Sequence, residues 1–197
     1  MVCSSPCGTF ALEKGVEKEV TIKVLSGMVN GTVKVEGGHP AGRSHISLIA
    51  TKKGDFGGVS WRTTTMDDNS FILQNLPPGS YDVIAYLRGF YGESVFFKIK
   101  KHGKTKDIKV PLFVAGSILF TVRDRNGELV EGGSISKIVP GKGSSSVHMD
   151  KVSKGVYRVL SIEPGKIEFS ISSSAIGRTE ERVNVRVGEE TEVEVTL

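Results

Sequence analysis

No stretch of the 197 residues holds 18 consecutive apolar side chains, so the sequence encodes no helix able to cross a bilayer. The opening MVCSSPCGTFALEKGVEKEV turns charged before an apolar signal core can form. Cysteine is scarce. The only two, Cys3 and Cys7, stand four apart in a Ser-Pro stretch. Without a nearby His they cannot close a zinc site, which leaves a local Cys3–Cys7 disulfide or two unpaired thiols. A concentrated charge of one sign is also missing. The net charge is +4, with Lys and Arg interleaved among Asp and Glu along the whole chain. Nucleic-acid binding would gather the positive charge on one stretch or face, so that function class drops out, as does direct membrane insertion.

The usual signatures of chemistry are absent as well. There is no HExxH and no GxSxG. The four histidines, His39, His45, His102 and His148, stand beside no nucleophile motif. His45 falls within a strand-like stretch, where a hydrogen-bonded or exposed ring is expected. MDDNS (66–70) groups oxygen-bearing side chains but supplies too few for a calcium ion, and reads as a β-turn. GKGSSS (141–146) lacks the full phosphate-loop pattern and a following helix, and reads as a flexible loop. The expectation is a non-enzymatic chain with no cofactor and no metal.

What the sequence does have is alternation. GTVKVE (31–36), HISLIATK (45–52), SFILQNL (70–76), SYDVIAYL (80–87) and SVFFKIK (94–100) are short, rich in Val, Ile, Tyr and Phe, and bounded by Gly, Pro, Asn or Asp. A period of two turns one row of side chains inward and the other to water, as in a half-buried strand. Glycine, at 24 residues, suits the many turns of an all-β chain. Pro77 and Pro78 stop one strand because they cannot donate to a ladder, and Gly79 opens the corner into the next.

The corner occurs twice. GVYRVLSIEPGKIEFSIS (155–172) places Tyr157, Val159 and Ser161 before Pro164–Gly165, with Ile167, Phe169 and Ile171 after it; Gly165 follows Gly79 by 86 residues. Gly103 and Gly188 repeat at an offset of 85, each inside what reads as a closing hairpin. FALEKGVEKEVTIKVL (10–25) carries that hairpin a third time, its Gly15 lying 88 before Gly103. Self-similarity at this period indicates an array of domains. We therefore read 1–25 as a leading hairpin, the apparent end of an upstream repeat. Residues 26–113 form a first β-sandwich and 114–197 a second, Ig-like one. Such an array suits a piece of a longer extracellular or cell-surface protein; taken as a full native chain, it would be cytoplasmic.

TTTMDDNSFILQNLPPGSYDVIAYLRGF resembles the carboxypeptidase regulatory-like domain. The resemblance rests on Thr63–Thr65, Asp67–Asn69, Phe71, the run Leu76–Pro77–Pro78–Gly79–Ser80–Tyr81, and Gly89–Phe90, with NGTVKVEGGHPAGRSHISLIA matching the family's opening. It implies a transthyretin-like, seven-stranded Greek-key sandwich for 26–113, and less strongly for 114–197, where one proline is missing. The family's members serve as non-catalytic modules, so the implied role is structural spacing or interaction with neighbouring domains or other chains. Two alternatives stand beside it. The leading hairpin could donate strands to a surface assembly. Phe56, Trp61, Phe90 and Tyr91 could form an aromatic platform for carbohydrate. Against the platform, Trp61 alternates in step with Val59 and Thr63 and could instead fill the core.

Overall fold

A computed structural model describes residues 27–37, 45–54, 59–100 and 103–197, the side chains of 104–106 excepted. The leading segment 1–25 with Cys3 and Cys7, and also Phe56, His39 and His102, lie outside the described residues. Every element among the described residues is a strand. The first eight are β1 (Gly27–Glu36), β2 (Ser47–Lys52), β3 (Ser60–Thr64), β4 (Ser70–Leu76), β5 (Gly79–Tyr86), β6 (Phe90–Gly92), β7 (Val95–Ile99) and β8 (Lys104–Val114). They form two sheets, ordered β4-β1-β8-β6 and β3-β2-β5-β7. The next eight are β9 (Gly116–Arg123), β10 (Ser134–Val139), β11 (Gly143–Ser146), β12 (His148–Ser153), β13 (Val156–Ile162), β14 (Gly165–Ser173), β15 (Gly177–Val185) and β16 (Glu190–Thr196). Their sheets run β12-β13-β9-β16 and β11-β10-β14-β15.

The chain is thus all-β, with two β-sandwiches in tandem. Overlaying the strand orders equates β1 with β9, β2 with β10, β3 with β11, β4 with β13, β5 with β14, β7 with β15 and β8 with β16. Each sandwich adds one edge strand of its own, β6 in the first and β12 in the second.

Each pair of sheets encloses its own core. Val29, Leu48, Phe71, Leu73, Leu76, Tyr81, Val83, Phe97, Ile99, Val110 and Leu112 belong to the first. Ile118, Phe120, Val122, Tyr157, Val159, Ile162, Phe169, Ile171, Val183, Val185 and Val195 belong to the second. Ring contacts tie facing sheets together: Phe120 meets Phe169 edge-on at 5.5 Å between centroids. Burying each such side chain contributes about 1.5–3 kcal/mol.

Simple alternation fails at one place in each sandwich, and in the same way. Val29 pairs with Leu73, but Gly27 pairs with Leu76, so β4 carries an extra residue there. Asn75 absorbs it in a left-handed conformation, φ 59°. Val159 pairs with Ile118 and Ile162 with Gly116, with Ser161 at φ 59°. The bulge shifts the phase by one. Ser161, expected on the same face as Tyr157 and Val159, therefore leaves the core side, and Ile162 takes the buried position at 4% exposure. Leu76 is brought inward likewise. Beyond each bulge the proline-glycine corner carries the chain into the facing sheet, from β4 to β5 and from β13 to β14.

The closing hairpins are corrected by the ladders. β7 and β8 lie in different sheets, as do β15 and β16. The turns around Gly103 and Gly188 are crossovers, and β8 then pairs in parallel with β1, β16 with β9. Alternation records which face of a strand is buried and is silent about its neighbour. GKGSSS is corrected too. Lys142 N donates to Val139 O at 3.0 Å, and Gly143–Ser146 continue as β11 against β10. All four β11 residues are exposed, so no apolar alternation marks the strand.

Gly116 fits only as glycine. A Cβ there would lie 2.4 Å from the Arg186 carbonyl oxygen and 2.5 Å from Val185 Cγ1. Backbone cannot swing aside, so Gly116→Ala is expected to destabilise the second sandwich by about 1–3 kcal/mol. Urea denaturation checks this, and an unchanged midpoint would contradict it.

Candidate functional site

The described aromatic candidates fall at separate places. Trp61 lies on the inward row of β3, half-buried, and packs on the first core. Its ring meets Tyr81 edge-on at 5.5 Å, and Tyr81 stacks on Phe97 at 5.2 Å. Tyr81 is fully buried, and its hydroxyl donates to the Pro77 carbonyl at 2.5 Å, fastening the corner. Phe90 and Tyr91 stand on β6, in the other sheet. Being consecutive, they face opposite ways: Phe90 packs on the core, while Tyr91 stacks on Phe113 at 5.1 Å. The fold brings Trp61 to Tyr81 rather than to Phe90 or Tyr91.

The polar candidates serve local structure. His45 Nδ1 donates to the Thr65 carbonyl at 3.1 Å, and the buried Thr65 hydroxyl accepts from Ile46 N at 3.1 Å. His148 lies 3.7 Å from Asp150. In MDDNS, Asp68 accepts from Ser70 N at 2.9 Å while Met66 N donates to Ser70 O at 2.8 Å and Asn69 takes φ 60°. Hydrogen bonding from Ser70 holds the Asp68 carboxyl below the ordinary aspartate value. Among the described residues no three His, Cys, Asp or Glu side chains gather as a metal site.

Two open grooves lie on outer sheet faces. One, of about 600 Å³, crosses β4, β1 and β8 beside Asn30, Thr32, Ser70, Asp107 and Lys109. Asn30 Oδ1 is buried there with no hydrogen-bond partner among the described residues. Sequence reading passes over Asn30, since a polar residue on an outward strand position carries no signal. The other groove, of about 460 Å³, contains the ion pairs Lys137–Glu163 and Arg182–Glu168. Each carboxylate is held by a basic partner through its Oε1.

The most constructed place is the junction between the sandwiches. A single residue, Ala115, joins β8 to β9, and it is buried. Its N–H donates to Gly89 O at 3.0 Å in the first sandwich, and its carbonyl accepts from Gly188 N at 3.0 Å in the second. Beside it, Gly89 N donates to Ser161 Oγ at 3.1 Å and Arg88 pairs with Asp150 at 2.6 Å. Burial first, then the Glu93 and Glu163 carboxylates, raise the Tyr91 phenol above its ordinary value. The sequence gives no sign of this junction, because its bonds come from backbone and from a bulged serine.

No family model matches the chain, and no curated protein matches it. Solved structures do. The Bacillus anthracis TIE protein aligns with TM-score 0.37 and 13% identity over 88% of this chain and 34% of that one. The chain therefore spans about a third of that protein's length. GBS52, the minor pilin of Streptococcus agalactiae, aligns with TM-score 0.37 and 11% identity over 87% and 94%. The shaft pilin SpaA from Lactobacillus rhamnosus GG aligns with TM-score 0.33 and 8% identity over 88% and 98%. The ladders and the two cores, rather than these distant likenesses, establish the sandwich fold. Among the described residues no helix is long and apolar enough to cross a membrane.

Two outcomes follow from these placements. Trp61→Ala is expected to destabilise the first sandwich by roughly 1.5–3 kcal/mol, about half the cost of truncating a fully buried aromatic, because the ring is half-buried; circular dichroism in urea reads it. Asp68→Ala should lower the urea midpoint at neutral pH. Asp68 has a depressed folded-state pKa, so its contribution is complete above the unfolded aspartate value of about 3.9. It is lost as pH falls below that through the folded value. The midpoint difference must shrink in that acid range, and a constant difference would contradict the assignment.

Proposed function

We propose that this chain is a non-catalytic spacer and interaction module: two tandem sandwiches within a multi-domain extracellular or cell-surface protein, with 1–25 closing an upstream repeat. The carrying observation is the one-residue junction, bonded to both sandwiches through Ala115. A connection this short holds neighbouring domains at a set spacing, whereas a long linker would leave their separation free. The separate cores support units at 26–113 and 114–197. The Leu76–Tyr81 corner, which the Tyr81–Pro77 bond fastens, is the stretch on which the first sandwich resembles the carboxypeptidase regulatory-like domain.

Solution scattering tests the spacing. A compact globule of this length has a radius of gyration of about 16 Å. The spacer requires a clearly larger value; a measurement near 16 Å would overturn it. Independence of the units is tested by Phe120→Ala. Phe120 is fully buried in the second core, so the loss there should be about 3–5 kcal/mol. Trp61, the only tryptophan, reports on the first. The fluorescence transition should stay in place while the circular dichroism transition splits.

A second reading, assembly by strand addition, is favoured by β16. Among the described residues it ends its sheet, whereas its counterpart β8 is covered by β6. An uncovered edge can pair with another chain. Light scattering decides: a concentration-independent monomer mass rules it out.

A further inference from the structure

In each sandwich the first and last strands lie side by side and run parallel. β1 pairs with β8 from Met28↔Lys104 to Glu36↔Phe113, and β9 with β16 from Glu190↔Ser117 to Thr196↔Arg123. This has a mechanical consequence. In a parallel pair the start of one strand and the end of the other sit at opposite ends of the ladder. Tension along the chain enters β1 at Met28 and leaves β8 near Phe113, so it pulls the strands past each other along their axes. The slanted ladder bonds then share the load and must give way together. An antiparallel hairpin pulled at its two open ends instead loses its bonds one at a time.

The side chains oppose sliding too. Val29, Val33, Val110 and Leu112 are locked in the first core, and Ile118, Phe120, Val122 and Val195 in the second. From β8 the load passes through Ala115 alone into β9. We propose that the chain bears tension between its ends, carried by two parallel shear clamps in series. The proposal deepens the spacer reading and rests on it.

Within β16, alternate residues face β9. Ser117 N donates to Glu189 O at 3.0 Å and Leu197 N to Arg123 O at 2.9 Å. In a parallel ladder this phase turns the N–H of Thr191 toward β9 and that of Glu192 toward the open edge. Proline at either place imposes the same backbone restriction, but only Thr191→Pro removes a clamp donor.

The test is single-molecule pulling of the full chain, with Cys3 and Cys7 replaced by serine. Handles on the two chain ends should give two ruptures. Each should lengthen the tether by about 25–30 nm, the extended span of roughly 80–90 residues. Handles at Lys166→Cys and Asn184→Cys, exposed partners across the antiparallel β14–β15 ladder, should open the second sandwich at several-fold lower force. Thr191→Pro should weaken one end-pulled rupture and Glu192→Pro should not. Equal forces in the two geometries overturn the clamp, and that comparison decides even if Thr191→Pro fails to fold. Low end-pulled forces in an elongated chain would remove load bearing and leave the spacer standing. A compact scattering shape would remove the spacer itself.

Discussion

Each sandwich is closed by a hydrogen-bonded ladder between its first and last strands, and everything else in the fold is arranged around that pairing. In the first, β1 sits between β4 and β8; in the second, β9 sits between β13 and β16. An inner strand of each of these sheets is therefore the earliest in sequence, and its second neighbour arrives 73 to 77 residues later, from Ser117↔Glu190 to Val33↔Val110. Such pairings cost loop-closure entropy before they contribute burial, and folds dominated by them assemble slowly. Close approach across the ladder also dictates glycine. At Gly31 a Cβ would stand 2.4 Å from the Ile108 carbonyl and 2.6 Å from Phe71 Cζ. The adjacent Asp107, at φ 60°, takes up the register shift that this crowding accompanies.

The bulges at Asn75 and Ser161 solve a second packing problem. Strict alternation through β4 would carry Leu76 to the solvent side just where the chain must cross to the facing sheet. One extra residue in a left-handed conformation restores Leu76, and in the second sandwich Ile162, to the core before the corner. Non-glycine residues pay steric strain at such angles, and Asn tolerates them better than Ser. Ser161 recovers part of that cost by accepting a hydrogen bond from Gly89 N. A local packing device in one sandwich thereby becomes a contact with the other.

Much of the architecture was legible in the sequence because burial follows a period of two. Phe71 and Leu73, Tyr81 and Val83, Ile167 through Ile171 all announce their strands, and the 86-residue recurrence of the corner announces the tandem. Strand partnership was not legible: β7 and β8 look like a hairpin because a glycine separates two alternating runs, and nothing local says that they join different sheets. The edge strands escaped notice for a related reason. β11 is wholly exposed and β12 nearly so, while β6 is only three residues long. Of the candidate site, Trp61 was readable in both its senses, and its contact with Tyr81 reaches from β3 across β2 to β5, an order that only the ladders reveal.

The junction shows which of its contacts matter. Arg88 and Asp150 are both substantially exposed, at 67% and 36%, and ion pairs in that setting are worth about 0–1 kcal/mol and weaken with salt. The Ala115 bonds are of another kind. They belong to backbone groups on a buried residue, where a missing partner costs about 1–3 kcal/mol each. They anchor Ala115 on both sides, to Gly89 O in the first sandwich and to Gly188 N in the second. The junction residue is therefore held by the same kind of interaction that holds each sheet, and the surface charges around it contribute little to that restraint.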